Sequence, residues 1–241
     1  MTKSICYLML IGLSTFIFYS CKPSDYYYGE YLDKGEIYYP GRIDSLSLIP
    51  GNLRANLRFR VTTDPKVNQV KVHLRNSLSP TVTIETYPIV TGDHGKFKII
   101  NLENLAEATY TAQVYSFDAK GDSSRLVSTN QFIYGNSYIR TLVNRSSLRF
   151  ESSEPDKIYL VFARENNLPK EGNFYPMQYT EIKYSATNGE SKTIKLSPYK
   201  DFADVTDIQS QTPVEYRTVY KPIDNSLDYF YTEYRTLDYK K

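Results

Sequence analysis

Tyrosines near the C-terminus are the side chains best suited to hold a ligand. The chain has 24 Tyr and no Trp, and our candidate contact residues are Tyr216, Tyr220, Tyr229, Tyr231 and Tyr234. Aromatic faces stack on sugar rings, and the phenolic hydroxyl adds a polar contact. If 214–221 and 228–236 pair as antiparallel strands, these rings meet across the ladder. The pattern predicts a ligand-binding surface, and cross-strand packing of strand-forming tyrosines is the alternative interpretation.

Residues that support catalysis or metal binding are scarce. The two histidines are His73, on the polar phase of a strand, and His94, in a turn flanked by glycines. Neither has the partners that a metal site or a Ser-His-Asp triad requires. Asp201, Asp204 and Asp207 are spaced by three, which on a strand places neighbours on opposite faces. We therefore expect no catalytic residues, no metal and no cofactor. A hydrolase with two carboxylates across a cleft is the enzymatic alternative.

The first residues indicate export and lipid attachment. Lys3 precedes an apolar run over 5–19, which is shorter than the ~20 residues that span a bilayer. Ser20-Cys21 then resembles a bacterial lipobox, in which cleavage before the cysteine leaves its sulfur lipidated. We predict a signal peptide over 1–20, lipidation of Cys21, and an anchor and tether over 21–39. An ordinary secretory signal or a short membrane anchor is the alternative.

Charge and cysteine content restrict the partners and the chemistry. Lys+Arg 29 against Asp+Glu 27 gives a net charge of +2, without the basic excess of a nucleic-acid binder. Cys6 lies in the predicted signal, so removal of 1–20 leaves Cys21 as the remaining thiol. Disulfides and cysteine nucleophiles are then excluded from the folded part. The predicted partner is the membrane, through the lipid, and the predicted location is the surface or the periplasmic face of the outer membrane.

A period of two dominates the chain from residue 43 onward. Apolar and polar residues alternate over 53–61 and 69–75, as half-buried strands require. Turns rich in Gly, Pro and Asp separate such runs about every ten residues. We predict roughly seven antiparallel strands over 40–135, the first at 43–49 and the last at 125–134, packed as one β-sandwich.

The segment 101–124 supports a sandwich. A leucine, a short polar turn and Tyr110 at the head of an alternating strand resemble the tyrosine corner of fibronectin type III and related domains. In that corner the tyrosine hydroxyl bonds to the backbone of the turn. We expect the same bond at Tyr110.

The second half repeats this plan less regularly. Strand candidates lie at 147–151, 157–164, 178–186, 191–196, 202–208, 214–221 and 228–236. Asn188-Gly189 is a hairpin-turn dipeptide, and Tyr216 is a candidate for a second corner with looser spacing. The predicted fold is all-β: two tandem antiparallel β-sandwich domains of fibronectin III/Ig-like type, over 40–135 and 136–241.

Several motifs resemble a family of Bacteroidota lipoproteins built on a domain of unknown function. They are YPGR-DSL within 35–46, YG-x-x-Y within 133–145 and T-x-Y-x-P within 216–230, together with the corner segment. The resemblance implies an envelope lipoprotein of the kind often associated with glycan-uptake systems. The family favours Trp-Asn at the end of the third strand, where this chain has Leu74-Arg75-Asn76.

These observations favour a non-catalytic envelope lipoprotein that acts as a binding or accessory module. Its predicted ligand is a glycan or a protein of an outer-membrane uptake complex. Two alternatives stand beside it: the carboxylate-dependent hydrolase and a purely structural spacer that binds a partner.

Overall fold

A computed structural model of the chain describes residues 39–237. The predicted signal peptide, Cys21 and the tether up to residue 38 lie outside the described residues. Within 39–237 no helix is long and apolar enough to cross a bilayer.

The first sandwich contains seven strands, as predicted. They are β1 (Asp44–Pro50), β2 (Ala55–Arg60), β3 (Val67–Asn76), β4 (Val82–Pro88), β5 (Phe97–Leu102), β6 (Ala108–Asp118) and β7 (Val127–Ile133). One sheet has the order β1-β2-β5 and the other β4-β3-β6-β7, with antiparallel pairing throughout. The alternating apolar residues point inward, so that Leu57, Phe59 and Val70 are fully buried in one core.

The tyrosine corner is present. Tyr110 is 5% exposed, and its hydroxyl accepts a hydrogen bond of 2.9 Å from the backbone N–H of Ala106 in the preceding turn. The bond gives a partner to a turn N–H that is not hydrogen-bonded within either sheet. It also fixes the chain where β5 crosses to β6. The predicted bond is therefore confirmed.

The second sandwich follows the same strand order. Its strands are β8 (Ser147–Glu154), β9 (Lys157–Phe162), β10 (Met177–Ser185), β11 (Ser191–Leu196), β12 (Phe202–Val205), β13 (Val214–Tyr220), β14 (Phe230–Tyr231) and β15 (Arg235–Leu237). The sheets run β12-β9-β8 and β11-β10-β13-β14, and β15 also pairs with β13. A second, separate core lies between them. The all-β fold with two tandem antiparallel sandwiches is confirmed.

The Asn188-Gly189 hairpin joins β10 to β11, with Gly189 at a φ of +84° that suits glycine. The second tyrosine corner is wrong. The hydroxyl of Tyr216 lies 3.5 Å from the hydroxyl of Ser147 on β8 and not against the turn before β13. Its ring packs edge-on against Phe162 in the core, with the ring centroids 5.3 Å apart.

Residues 40–237 lie within one compact unit, and a short helix connects the two sandwiches. This helix, α1 (Asn136–Thr141), begins after Gly135. Glu107 accepts hydrogen bonds from the backbone N–H groups of Ser137 (2.6 Å) and Tyr138 (2.7 Å) in its first turn. The carboxylate satisfies helix N–H groups that have no partner within the helix. The domain boundary at 135/136 stays a prediction.

Hydrogen bonds between residues that are far apart in sequence join the two sandwiches. One edge of the Arg54 guanidinium donates two hydrogen bonds to Asp228, from Nε to Oδ2 at 2.9 Å and from Nη2 to Oδ1 at 2.5 Å. Asp228 also accepts from the backbone N–H of Asn52 at 2.8 Å. The carbonyl oxygen of Pro50 accepts from the backbone N–H of Leu227 at 2.8 Å. We call these residues the joint.

Arg145 anchors the segment that leads from α1 into the second sandwich. Its side chain is fully buried. The guanidinium donates to the carbonyl oxygens of Ala163 (2.9 Å), Lys200 (2.8 Å) and Pro198 (3.5 Å), and Glu165 lies 3.7 Å away. Burial lowers the pKa of Arg145 and the charge of Glu165 opposes that effect. One cation thus bonds the segment after α1 to two loops, the one after β9 and the one between β11 and β12.

Candidate functional site

The outer face of the sheet β11-β10-β13-β14 gathers exposed tyrosines and charged side chains. Successive strand residues point to opposite faces, and those that point outward here form one continuous surface. We define the tyrosine face by Tyr179, Glu181, Lys195, Arg217, Lys221, Tyr229, Tyr231 and Tyr234.

Strand pairing brings three of the predicted contact residues to this face. β13 pairs antiparallel with β14 and β15, with Val219 opposite Tyr231, so the condition on which the sequence argument depended, the pairing of 214–221 with 228–236, is met. Tyr229 is 46% exposed, and Tyr231 and Tyr234 are each 39% exposed. These rings are accessible from solvent.

The other two predicted contact residues lie elsewhere, and the prediction needs correction there. Tyr216 is 1% exposed, because it stands on the apolar phase of β13 and faces the core. Tyr220 faces the other side of the sheet from Tyr231, and its hydroxyl donates to the carbonyl oxygen of Val143 at 2.7 Å. Burial raises the pKa of Tyr220 to about 12. Both residues make contacts inside the fold and are not part of the tyrosine face.

Arg217 is the centre of the face. Its guanidinium carbon lies 4.1 Å from the ring centroid of Tyr231 and 4.5 Å from that of Tyr234, which are close cation–π contacts. Its Nε donates to Glu181 Oε1 at 2.6 Å, across the pair that β10 and β13 form. The hydroxyl of Tyr234 donates to the same carboxylate oxygen at 2.6 Å. Four side chains therefore form one cluster: three lie on β10, β13 and β14, and Tyr234 lies in the link between β14 and β15.

The cluster shifts the ionisation of its members. Burial raises the pKa of Glu181, but hydrogen bonds from Tyr234 and Arg217 outweigh it and lower the net value. Burial, together with the bond to Glu181, raises the pKa of Tyr234 to about 12. Near neutral pH the face therefore holds an ionised carboxylate, a guanidinium and a neutral phenol.

We expect Glu181→Gln to lower the free energy of unfolding by about 1 kcal/mol near pH 7, because an amide oxygen still accepts but carries no charge. A carboxyl whose pKa is lowered by folding stabilises the fold above its unfolded value, and that contribution is lost as the pH falls through the folded value. The difference between wild type and variant therefore shrinks below about pH 4.

Urea unfolding at a series of pH values measures this. Glu215→Gln is the matched control, since Glu215 is 40% exposed and its carboxylate lies 3.6 Å from Lys183. A wild type and Glu181→Gln that differ by the same amount at every pH contradict the prediction.

A second pair of rings continues the face. The centroids of Tyr179 and Tyr229 are 6.3 Å apart and their planes meet at 59°. Lys195 Nζ lies 4.7 Å from the centroid of Tyr179, and Lys221 Nζ lies 5.9 Å from that of Tyr229. The rings are tilted and interleaved with cations. Aromatic rings and cationic side chains therefore lie side by side along this part of the tyrosine face.

Three further sequence candidates, Asp207, His94 and His73, make contacts within the fold. Asp207 accepts from the hydroxyl of Tyr184 at 2.8 Å and pairs with Lys192. His94 Nδ1 lies 3.2 Å from the carbonyl oxygen of Thr62, and the ring of His73 lies 5.3 Å from that of Tyr115. Among the described residues, no group of three or more His, Cys, Asp or Glu side chains is placed to hold a metal ion.

Sequence reasoning missed Tyr179, Glu181, Lys195, Arg217 and Lys221. The alternation over 178–186 carried a usable signal, because Tyr179, Glu181 and Lys183 share one phase while Thr180 and Ile182 share the other. The strand pairing that places β10 beside β13 was the missing information.

The fold and the face together define a class: a tandem β-sandwich protein with a strip of tyrosines and cations on the second sandwich. The particular family follows from the sequence comparison. Residues 21–230 match DUF4998, a domain of unknown function, and the chain belongs to that family. No curated protein matches the chain.

Solved structures similar to this chain include fibronectin type III proteins. A two-domain fibronectin type III segment of chicken tenascin is 10% identical, covers 83% of this chain and 100% of its own, and has a TM-score of 0.33. The FN1–FN3 domains of chicken CNTN1 are 10% identical over 84% of this chain and 66% of theirs, with a TM-score of 0.44. The chicken interferon gamma receptor alpha chain is 11% identical over 82% and 98%, with a TM-score of 0.35.

Proposed function

We propose that this protein is a non-catalytic, lipid-anchored binding module of the bacterial envelope, and that the tyrosine face is its glycan contact surface. The observation that supports this most is the exposure of Tyr229 and Tyr231 beside Tyr179 on one sheet face. Sugar rings stack on aromatic faces while phenol, ammonium and guanidinium groups bond their hydroxyls. Both kinds of group are interleaved here.

The predicted anchor fits this role. The DUF4998 match begins at Cys21, the residue that we predict to be lipidated after cleavage of 1–20. We propose that the lipid holds the protein at the outer membrane of a bacterium of the Bacteroidota type, facing the surface or the periplasm. Palmitate labelling of wild type but not of Cys21→Ser is the corresponding test, and equal labelling of both overturns it.

The joint supports a module that presents its face at a fixed position. Arg54, Asp228 and the Pro50–Leu227 bond connect the first sandwich to the loop between β13 and β14. That loop continues directly into Tyr229 and Tyr231. The sandwich nearer the predicted anchor is therefore bonded to the segment that carries the exposed rings.

Binding to immobilised polysaccharides tests the proposal. The full chain, purified in detergent, is passed over a panel of neutral and acidic polysaccharides. We expect retention on at least one of them, and at least a ten-fold loss of affinity for Tyr229→Ala and for Tyr231→Ala, since each truncation removes a stacking surface. Tyr115→Ala on the first sandwich is the control and retains binding.

Two outcomes overturn the glycan proposal. No retention on any polysaccharide, together with capture of an uptake-complex protein, favours the spacer alternative. Turnover of a polysaccharide that disappears on a single Asp or Glu substitution favours the hydrolase alternative.

A further inference from the structure

The tyrosine face carries more cations than carboxylates, and the excess positive charge lies at Lys195 and Lys221. Its one carboxylate, Glu181, bonds Arg217 and Tyr234, and Glu215, outside the face at its border, lies 3.6 Å from Lys183. Lys195 and Lys221 remain. Among the described residues, neither lysine has a carboxylate within ion-pair distance.

These two lysines flank one pair of rings, and Lys195 also stands opposite Glu181 across the β10–β11 pair, where its charge helps to lower the pKa of that carboxyl. Lys195 lies over Tyr179, Lys221 lies over Tyr229, and the two rings are neighbours. The order along the face is therefore cation, ring, ring, cation. A ligand that stacks on either ring brings its substituents within reach of an ammonium group.

A lysine ammonium group beside an aromatic ring forms a stronger hydrogen bond with an anionic group of a ligand than with a neutral hydroxyl. Charge-assisted hydrogen bonds to carboxylate or sulfate are about twice as strong as neutral ones. Sugar hydroxyls satisfy the geometry but give neither ammonium group a carboxylate or sulfate within ion-pair distance. A polymer with one anionic group on many of its sugar rings meets both requirements at once.

We propose that Tyr179, Tyr229, Lys195 and Lys221 form a subsite for acidic polysaccharides, with a uronate carboxylate or a sugar sulfate bound by the lysines. The proposal rests on the proposed function, because it specifies the glycan class that the same face binds. An acidic protein segment offers the same charge without rings that stack as sugars do, so polyglutamate serves as the contrasting ligand.

Pairs of polymers that share a sugar backbone but differ in charge show whether the charge or the backbone determines the affinity. The full chain in detergent is measured against immobilised polygalacturonate and its methyl ester, and against chondroitin sulfate and its desulfated form. We expect at least ten-fold tighter binding to the acidic member of at least one pair, as one charge-assisted bond provides, and a preference that weakens as salt is added.

Variants assign the preference to the lysines. The double variant Lys195→Gln/Lys221→Gln loses the acidic preference but keeps its binding to the uncharged polymer. Lys120→Gln, on an exposed turn of the first sandwich, changes charge equally and keeps the preference. Tyr179→Ala weakens binding to both members of the pair.

The outcomes distinguish this proposal from the one on which it rests. Equal affinity for charged and uncharged polymers, with the tyrosines still required, overturns the acidic subsite and leaves glycan binding in place. A preference that survives the double variant, or tighter binding of polyglutamate than of any polysaccharide, overturns it as well. Retention of no polysaccharide overturns both proposals.

Discussion

Arg145→Leu is expected to lower the free energy of unfolding by about 3–5 kcal/mol, the cost of removing one partner of a buried charged network. The leucine fills much of the volume but leaves the carbonyl oxygens of Ala163 and Lys200 without their donor. It also leaves Glu165 without its neighbouring cation. Buried acceptors that lose a partner cost their full desolvation free energy.

Arg145→Lys separates charge from geometry. Lysine keeps the positive charge but lacks the planar fork that reaches three carbonyl groups, so we expect it to recover less than half of the loss. Arg149→Leu is the matched control, because that side chain is 59% exposed, and surface changes of this kind lie within about 0.5 kcal/mol. Urea unfolding of all three variants measures the effect. An Arg145→Leu variant as stable as Arg149→Leu contradicts the prediction.

Asp228→Ala is expected to cost about 2 kcal/mol and to weaken the coupling between the sandwiches. The carboxylate accepts two bonds from Arg54 and one from the backbone of Asn52. Bonds to charged groups contribute about 1.5–3 kcal/mol, and the 43% exposure of the Arg54 side chain lowers that value. The Arg54 bond and the burial of Asp228 act oppositely on its pKa, and the net pKa is lowered.

Differential scanning calorimetry tests the coupling. We expect wild type to unfold in one transition and Asp228→Ala to unfold at lower temperature, with its two sandwiches separated into distinct transitions. Asp224→Ala lies in the same loop, is exposed, and keeps the wild-type transition. A single unshifted transition in Asp228→Ala rejects the role assigned to the joint.

The fold was predictable because the local pattern and the tertiary structure agree. The alternation over 53–61 and 69–75 predicted half-buried strands, which the structure contains. The position of Tyr110 after a leucine and a short turn predicted the corner at which the chain crosses between the sheets. The same rule, applied to 214–220, assigns Tyr216 to the apolar phase with Val214 and Thr218. Tyr216 is therefore 1% exposed and is not a contact residue, although its residue type suits one.

The joint and the centre of the face were not predictable in the same way. Arg54 and Asp228 are 174 residues apart, and no local pattern links them. Arg145 lies in a polar segment where nothing in the sequence indicates burial of its charge. Glu181 and Arg217 meet because β10 pairs with β13, and pairing register is a property of the assembled sheet.

Tyrosine-ring NMR of the full chain, titrated with a retained polysaccharide, tests most directly whether the outer strip of the second sandwich is the contact surface. We expect the ring signals of Tyr179, Tyr229 and Tyr231 to shift in proportion to occupancy, while the signals of the buried rings of Tyr110 and Tyr216 stay unchanged. Shifts confined to rings of the first sandwich, with those three unmoved, would contradict it.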